Sequence, residues 1–321
     1  MGQVYLNDGA IITGSGNDSL QGSVIGAGNE NVGIFNFGDF GDDQTSINTG
    51  TGADKIVGTV KIQGDGNNNF GVINELFGLI NTEAGDDQIT GTVEVAGNGD
   101  FNIGFDNSIF ALTDTGAGRD RITSTVKVDG DGNNNFGIIN GEASISAGNG
   151  NDQIISTVVV EGDGSGNIGI TSGLGGIDLG AGDDYLYGAV EVAGDGNNNF
   201  GIENTAVNYI RMGSGNDSIV GKGVDAFTGF GGSPTGGSGF IDLGEGNDKI
   251  SGFGVNQIVD GGTGIDLAQF QFSLDKSITF GSSDANSIDI TANEVTMSFT
   301  NVEEFAFAND SFTLDELIDF V

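Results

Sequence analysis

An aspartate at the end of a glycine-rich turn recurs about every 33 residues along most of the 321-residue chain. The copies include GSGNDSL, GTGADKI, GAGDDYL and GEGNDKI. This turn supplies a carboxylate and backbone carbonyl groups, and the chain contains no His and no Cys. Oxygen ligands of this kind favour a hard cation, with Ca²⁺ first and at several sites. The recurring aspartates are Asp18, Asp54, Asp87, Asp120, Asp152, Asp184, Asp217, Asp248 and, at a shorter spacing, Asp266.

The alternative for these aspartates is ordinary turn chemistry, in which the carboxylate caps backbone amides. Stacked carboxylates without a basic partner would repel each other, which favours a cation. The residue just before the main aspartate is a secondary ligand candidate in five copies: Asn17, Asp86, Asp183, Asn216 and Asn247.

A second glycine turn, typified by GDGNNN, lies half a period further along each repeat. Its acids are Asp65, Asp131, Asp163 and Asp195, with Asn98 in the remaining copy. These acids are further metal-ligand candidates in a second calcium column. The run of asparagines equally predicts a ladder of hydrogen-bonded side-chain amides between stacked repeats.

The segments between the turns show strand periodicity. The second, sixth and eighth residues after the aspartate are apolar in five successive repeats, as in Ile56, Val60 and Ile62. Even spacing places these side chains on one face of a strand, which predicts the core. The fourth position is Gly or Ser, which suits a crowded interior point. The odd positions face outward and include a threonine column: Thr59, Thr92, Thr125 and Thr157, ending in Ala189.

One outward column carries alternating charge. If the repeats stack in parallel at about 4.8 Å, Lys61, Glu94 and Lys127 become neighbours of opposite sign. Exposed pairs contribute only about 0.2–1 kcal/mol each, but a shift by one repeat would place like charges side by side. The charge pattern therefore predicts parallel stacking in register.

These patterns together predict an all-β fold. Three or four short strands per repeat indicate a right-handed parallel β-solenoid, like a β-helix or β-roll, over residues 1–266. The segment 224–239, which contains Pro234, is predicted to be a surface loop. Residues 267–321 alternate like antiparallel strands and end in a helix with Thr313 as its N-cap, so we expect a small β-rich cap.

The charge balance restricts the possible partners. The chain has 9 Lys and Arg against 46 Asp and Glu, a formal net charge of −37. Nucleic acids and anionic membranes are bound through clustered basic residues, so both are excluded as partners. We find no signal-peptide pattern at the N-terminus and no stretch suited to membrane insertion. Solenoid enzymes recruit basic residues or histidine beside their carboxylates, and no such cluster is visible here, so an enzyme is not expected.

The segments GSGNDSIVG, GEGNDKISG and GGTGIDLAQF resemble the nonapeptide G-G-x-G-x-D-x-U-x of the RTX (repeats-in-toxin, hemolysin-type) calcium-binding family. The resemblance implies that turn carbonyls and the aspartate bind Ca²⁺ between adjacent turns, and that the chain folds upon export. The terminal NVEEFAFANDSFTLDELIDFV is similar to the tail of such proteins, which implies an uncleaved type I secretion signal. One copy per repeat of about 33 residues departs from that family's tandem spacing and implies a wider coil. This long-period variant resembles oscillin-like secreted surface proteins of cyanobacteria.

The expected function is that of a secreted, calcium-binding structural protein outside the cell or on its surface. It would be a subunit of a filament, matrix or surface layer that folds and assembles on binding Ca²⁺. Its expected partners are other copies of itself in a head-to-tail homopolymer, because an unpaired sheet edge invites a second chain, and a cell-surface polysaccharide. The alternative is a calcium-dependent adhesin, or a glycan- or ice-binding module that uses the threonine column.

Overall fold

The computed structural model describes residues 3–7, 9–38, 45–205, 209–232, 239–281 and 285–319. The chain forms a parallel β-solenoid of about 8 turns with roughly 33 residues per coil, which confirms the predicted fold. Strands from successive coils build three sheets. We number the sheets I, II and III in the order in which the chain enters them after an aspartate turn.

Sheet I starts directly after the aspartate turns and has 11 strands. Its long strands pair in parallel, residue for residue. In spatial order the strands are Ser19–Gly26, Lys55–Ile62, Gln88–Val95, Arg121–Val128, Gln153–Val160, Tyr185–Val192, Ser218–Lys222, Lys249–Ser251, Leu267–Gln269, Glu304–Ala306 and Ser311–Thr313.

Sheets II and III complete each coil. The 8 strands of sheet II are Gln3–Asn7, Val32–Phe37, Phe70–Glu75, Ile103–Ser108, Phe136–Asn140, Ile168–Ser172, Phe200–Asn204 and Phe230–Gly231. The 12 strands of sheet III are Ala10–Ile12, Ser46–Asn48, Leu79–Asn81, Leu112–Asp114, Ser144–Ser146, Ile177–Asp178, Tyr209–Arg211, Gly239–Asp242, Gln257–Asp260, Val295–Thr300, Ser287–Ala292 and Thr279–Gly281.

The predicted apolar columns of sheet I are buried, but they belong to two cores rather than one. Ile56 packs in a cluster shared with sheets II and III, whereas Val60 and Ile62 line a second, separate cluster. Between the clusters the backbones of sheets I and II touch, and a methyl group added to Gly58 would collide with the carbonyl group of Gly71. The fourth position is Gly or Ser because the two sheets meet there without room for a larger side chain.

The predicted stacking in register is confirmed. Lys61 pairs with Glu94, and Glu94 with Lys127, as direct neighbours across strands. Lys61 Nζ lies 2.8 Å from Glu94 Oε2. Lys127 instead contacts Asp129 of its own coil at 2.6 Å. The alternating column therefore forms one of its ion pairs between coils and replaces the other by a local contact.

The parallel stacking continues beyond Asp266. Leu267–Gln269, Val295–Thr300 and Glu304–Ala306 each pair in parallel with a strand of the preceding coil. The predicted antiparallel strands follow: Ser287–Ala292, Thr279–Gly281 and Ser311–Thr313. Their buried side chains join the larger core cluster.

A single short helix, Leu314–Ile318, follows the last described strand. Thr313 is its N-cap as predicted, because the Thr313 side chain accepts a hydrogen bond from the backbone NH of Glu316. Leu317 is fully buried and fastens the helix to the core. No helix in the described ranges is long and apolar enough to cross a bilayer.

The segment 224–239 differs from the predicted surface loop. Phe230 is fully buried, and Phe230–Gly231 is the last strand of sheet II. Phe227 packs against Phe253 and Phe272, with ring centroids 6.2 and 5.2 Å apart. The adjacent strand Ser218–Lys222 has only 5 residues, too few to reach the second core cluster, which therefore ends here. Aromatic rings extend the first core cluster instead. Residues 233–238, including Pro234, lie outside the described residues.

A candidate cation column inside the solenoid

The recurring aspartates form one continuous column. Each stands immediately before a strand of sheet I, where the alternation of the strand turns its side chain inward. From Asp54 to Asp266 these residues are at most 2% exposed. In each coil from Asp18 to Asp248, the backbone NH of the aspartate donates to Oδ1 of the next aspartate at 2.7–2.9 Å. The predicted convergence of these nine residues is therefore found.

The second oxygen of every carboxylate is left without a hydrogen-bond donor. Among the described residues, buried Oδ2 atoms without a partner occur in Asp18, Asp54, Asp87, Asp120, Asp152, Asp184, Asp217, Asp248 and Asp266. A buried charged acceptor without a donor is costly unless a proton or a cation compensates it. Every coil thus repeats a buried carboxylate oxygen that lacks a donor or a cation, in line with that of the coil before.

Burial also raises the pKa of these carboxyl groups. Desolvation outweighs the stabilising backbone hydrogen bond and raises the pKa to about 7 for Asp120, Asp184 and Asp248. The same cause raises it to about 6 for Asp152, Asp217 and Asp266, and raises that of Asp87. Repulsion between neighbouring aspartates adds to the shift, as Asp152 and Asp87 do for Asp120. The ionised column needs positive charge at neutral pH.

The turn before each aspartate stacks on the same turn of the neighbouring coil. Its two glycines have positive φ, 81° at Gly50 and 141° at Gly52, which glycine adopts readily. A methyl group on Gly52 would also collide with the carbonyl oxygen of Gly16 in the coil before. In the described residues no three acidic or His/Cys side chains converge on one point. A cation here would therefore need backbone carbonyl oxygens of the turns as ligands beside the carboxylates, a donor set that suits calcium.

The residues just before the aspartates point outward and are exposed. Their side chains fasten one coil to the next: Oδ1 of Asn17 accepts the backbone NH of Ala53 at 3.0 Å, and Oδ1 of Asp86 accepts that of Arg119 at 3.0 Å. Asp183, Asn216 and Asn247 make the same contact. The structure separates them from the buried Oδ2 atoms, and metal binding by these five residues stays a prediction.

The acids of the second turn are also exposed. Oδ1 of Asp65 accepts the backbone NH of Asn98, and Asp131 and Asp163 bind the following coil in the same way. Asp195, the last of the series, donates its backbone NH to Asp163. No buried oxygen of these four carboxylates lacks a partner, and their role as metal ligands stays a prediction.

The alternative prediction for this turn, an amide ladder, is confirmed. The ladder is formed by the buried third asparagine of the run, and each Nδ2 donates to Oδ1 in the next coil at 2.9–3.1 Å. Its members are Asn31, Asn69, Asn102, Asn135, Asn167 and Asn199.

Sequence reasoning missed two parts of this arrangement. Glu303 extends the aspartate column, since the backbone NH of Asp266 donates to Glu303 Oε2 at 2.9 Å. Its signal was its place directly before the strand Glu304–Ala306, which is the place that the aspartates hold. A second buried amide ladder joins Asn36, Asn74, Asn107 and Asn140 at 2.7–2.9 Å. Its signal was the asparagine that closes FGVIN and FGIIN.

The fold and the column define a class of protein, a parallel β-solenoid with an internal line of stacked acidic side chains. Comparison with protein-family models and with curated proteins finds no match to the chain.

Proposed function

We propose that this chain is a calcium-binding structural protein whose coils are held together by cations along the aspartate column. The observation that carries the proposal is the line of nine buried Oδ2 atoms without hydrogen bonds. The donor set of carboxylate and carbonyl oxygens, in a chain without His or Cys, favours calcium over softer metals. When bound, the cations would supply the positive charge that the ionised column requires.

Calcium binding would then be coupled to folding. The column exists only when coils are stacked, so cations stabilise the folded state by mass action. Extracellular calcium modules commonly have affinities of about 10⁻⁴–10⁻³ M. We place the protein outside the cell, exported unfolded by type I secretion and folding where calcium is abundant. Its high negative charge opposes folding until the column is neutralised.

Calorimetric titration of matched variants tests the proposed site. The double variant Asp120→Asn, Asp152→Asn removes two carboxylates from the buried column. The control, Asp131→Asn with Asp163→Asn, removes two carboxylates from the exposed second turn. We expect the first variant to bind fewer calcium ions and to melt at a lower temperature in calcium, and the control to match the unmodified protein.

Chelation tests the coupling to folding. We expect EGTA at pH 8 to lower the melting temperature and weaken the β-type circular dichroism, and added calcium to restore both. A spectrum and melting temperature that ignore the chelator would contradict the proposal, as would equal loss of calcium in both double variants.

Assembly into a filament or layer is the second part of the proposal, supported by the two outer strands of sheet I, Ser19–Gly26 and Ser311–Thr313. The carbonyl groups of Asp18 and Gly26 accept hydrogen bonds from the next coil, so the odd-numbered residues of the first strand turn their backbone groups outward. An outward row of this kind can pair with the end of another molecule.

Electron microscopy in calcium tests this contact. Gln21→Pro removes one outward NH from the edge strand, and Gln21→Ala is the matched control. We expect filaments or layers from the unmodified protein and the alanine variant, and shorter or no assemblies from the proline variant. Unchanged assemblies of the proline variant would rule out this edge as the contact.

A further inference from the structure

The basic residues of this acidic chain are gathered on one surface. Six of the 9 lie on strands of sheet I, at outward-facing positions: Lys55, Lys61, Arg121, Lys127, Lys222 and Lys249. The eight fully described strands from Ser19–Gly26 to Lys249–Ser251 contain two carboxylates, Glu94 and Glu191. The outer face of these eight strands therefore carries more cations than carboxylates on a chain with a formal net charge of −37. Asp129 and Glu161, just beyond the strand ends, also act on Lys127.

Two pairs of these positive charges share the same spacing. Lys55 and Arg121 are both in register with Gln88, which lies between them. Lys61 and Lys127 are related in the same way through Glu94. Each column thus contains two cations separated by one strand, about 9.6 Å apart at about 4.8 Å per strand. In the first column the next cation, Lys249, follows Arg121 four strands later. The ion-paired lysines Lys61, Lys127 and Lys222 keep 43–48% of their side chains exposed, so their charge stays accessible.

Neutral hydrogen-bonding groups lie between the charges. The face presents the hydroxyl groups of Thr59, Thr92, Thr125 and Thr157 in one column, and the amides of Gln88 and Gln153 in another. Tyr185 and Tyr187 stack side by side, with ring centroids 6.0 Å apart. Protein–protein interfaces are depleted of charge at their centre. This face, with charges spread over its whole length, has a different composition.

We propose that the outer face of sheet I binds an acidic polysaccharide, a linear polymer of uronic acids that lies across the strands along the solenoid axis. Lysine and arginine would bind its carboxylates through charge-assisted hydrogen bonds. Threonine and glutamine side chains would bind its hydroxyl groups, and the tyrosine pair would contact the apolar face of a sugar ring. The acidic remainder of the molecule repels such a polymer, which directs it to this one face.

The spacing of the charges favours this occupant over others. Duplex DNA carries a negative charge for about every 1.7 Å of its axis, far denser than the basic columns here. A polyuronate carries one carboxylate per sugar, which suits cations separated by two strands. The proposal is independent of the calcium column, because that column lies inside the solenoid and this face lies outside it.

The test measures binding of the full-length protein to immobilised polygalacturonate oligomers by biolayer interferometry. The calcium concentration is kept below that at which calcium crosslinks the oligomers. The face variant is Lys55→Gln, Arg121→Gln. The matched control is Arg211→Gln, Lys276→Gln, which removes the same charge from residues outside this face. Circular dichroism and melting curves establish that both variants are folded.

We expect the face variant to bind at least tenfold more weakly and the control to bind within twofold of the unmodified protein. Binding should weaken as the salt concentration rises, and neutral dextran should not bind. If the face variant does not fold, Arg121→Gln and Lys55→Gln alone should each weaken binding about threefold.

Several results would overturn the proposal. These are no binding by the unmodified protein, equal losses in the face variant and the control, or binding abolished by chelator but untouched by the face variant. The last result would indicate calcium bridges to the acidic faces. Equal, variant-sensitive binding to duplex DNA would identify a general polyanion surface instead. Sedimentation of the protein without polymer tests a further alternative. If the unmodified protein self-associates and only the face variant does not, the face binds a second copy of the chain instead of a polysaccharide.

Discussion

Two of the buried polar columns along the solenoid, the aspartate column and the asparagine ladder of the second turn, differ by one chemical group. In both, a backbone NH donates to Oδ1 of the equivalent side chain in the next coil: Asp87 to Asp120 at 2.9 Å, and Asn102 to Asn135 at 2.9 Å. The asparagine has an amide nitrogen as well, and Nδ2 of Asn135 donates to Asn167 and to the carbonyl oxygen of Gly99. The aspartate has a second acceptor in that place, and its Oδ2 lacks a partner.

The difference explains why one column is self-sufficient and the other is not. An amide is both a donor and an acceptor, so stacked amides satisfy one another. An ionised carboxylate is only an acceptor, and a stack of them needs protons or cations from outside. On our proposal the asparagine ladder holds the coils together under all conditions, and the aspartate column does so when calcium is present.

The largest expected effect is the pH dependence of stability without calcium, which should come from the aspartate column and not from the asparagine ladder. The folded pKa is about 7 for Asp120, Asp184 and Asp248, raised from 3.8. The fold therefore holds protons that the unfolded chain releases, so metal-free stability is highest below about pH 4 and is lost as the pH rises to about 7. The loss accumulates over the column, because each pKa unit corresponds to about 1.4 kcal/mol.

The measurement is thermal unfolding in EGTA, where we expect a lower melting temperature at pH 8 than at pH 5. Calcium should raise the melting temperature strongly at pH 8 and little at pH 5. A metal-free protein that gains stability between pH 5 and pH 8 would show that the aspartate column is not the source of the dependence.

Turning one column into the other should have the next largest effect. Asn199→Asp places a carboxylate in the asparagine ladder and removes the donor to the carbonyl oxygen of Gly164. We expect a loss of about 3–5 kcal/mol of unfolding free energy at pH 8, because the new carboxylate is a buried charge without a counterion. Asn197→Asp, in the same turn but exposed, is the control and should change stability by less than about 0.5 kcal/mol. Urea unfolding measures both, and equal losses would contradict the comparison.

The reverse exchange should have the opposite sign. Asp120→Asn gives the aspartate column an amide, and in EGTA at pH 8 it should stabilise the fold by about 2–4 kcal/mol, since the charge whose burial raised the pKa is gone. In saturating calcium the same variant should be less stable than the unmodified protein. Urea unfolding with and without calcium measures the change of sign. If the variant changes the unfolding free energy in the same direction in both conditions, the aspartate column does not bind calcium.

The smallest effect concerns the two turns that carry the columns. Glu83 and Phe101 occupy positive-φ positions, at 61° and 54°, where other coils place Gly in the first turn and Asn in the second. Replacing them with the residue of the neighbouring coils, as Glu83→Gly and Phe101→Asn, should each stabilise the fold by about 0.5–1 kcal/mol. Thermal unfolding measures the gain, and no change would mean that these turns tolerate a side chain without strain.

Much of the coil was predictable because its signals are local. The inward positions of Ile56, Val60 and Ile62 follow from strand alternation, and Thr313 followed from the capping preferences of helices. The division of the core in two was not predictable, since it depends on Gly58 meeting Gly71 of another sheet. Phe230 was misplaced in a surface loop for the same reason, as its ring lies against Gly221 and Gly252, which lie on other segments of the chain.

The sequence by itself determined the repeat, the turns, the apolar face and the set of aspartates, because these depend on residues a few positions apart. Only the tertiary structure decided which acids are buried and unsatisfied. Asp120 and Asp131 both sit in glycine-rich turns, yet Asp120 is 2% exposed and Asp131 accepts a hydrogen bond at the surface. The physical reason is that the coils on either side, roughly 33 residues away along the chain, decide whether a side chain in a solenoid is exposed and which groups it can hydrogen-bond.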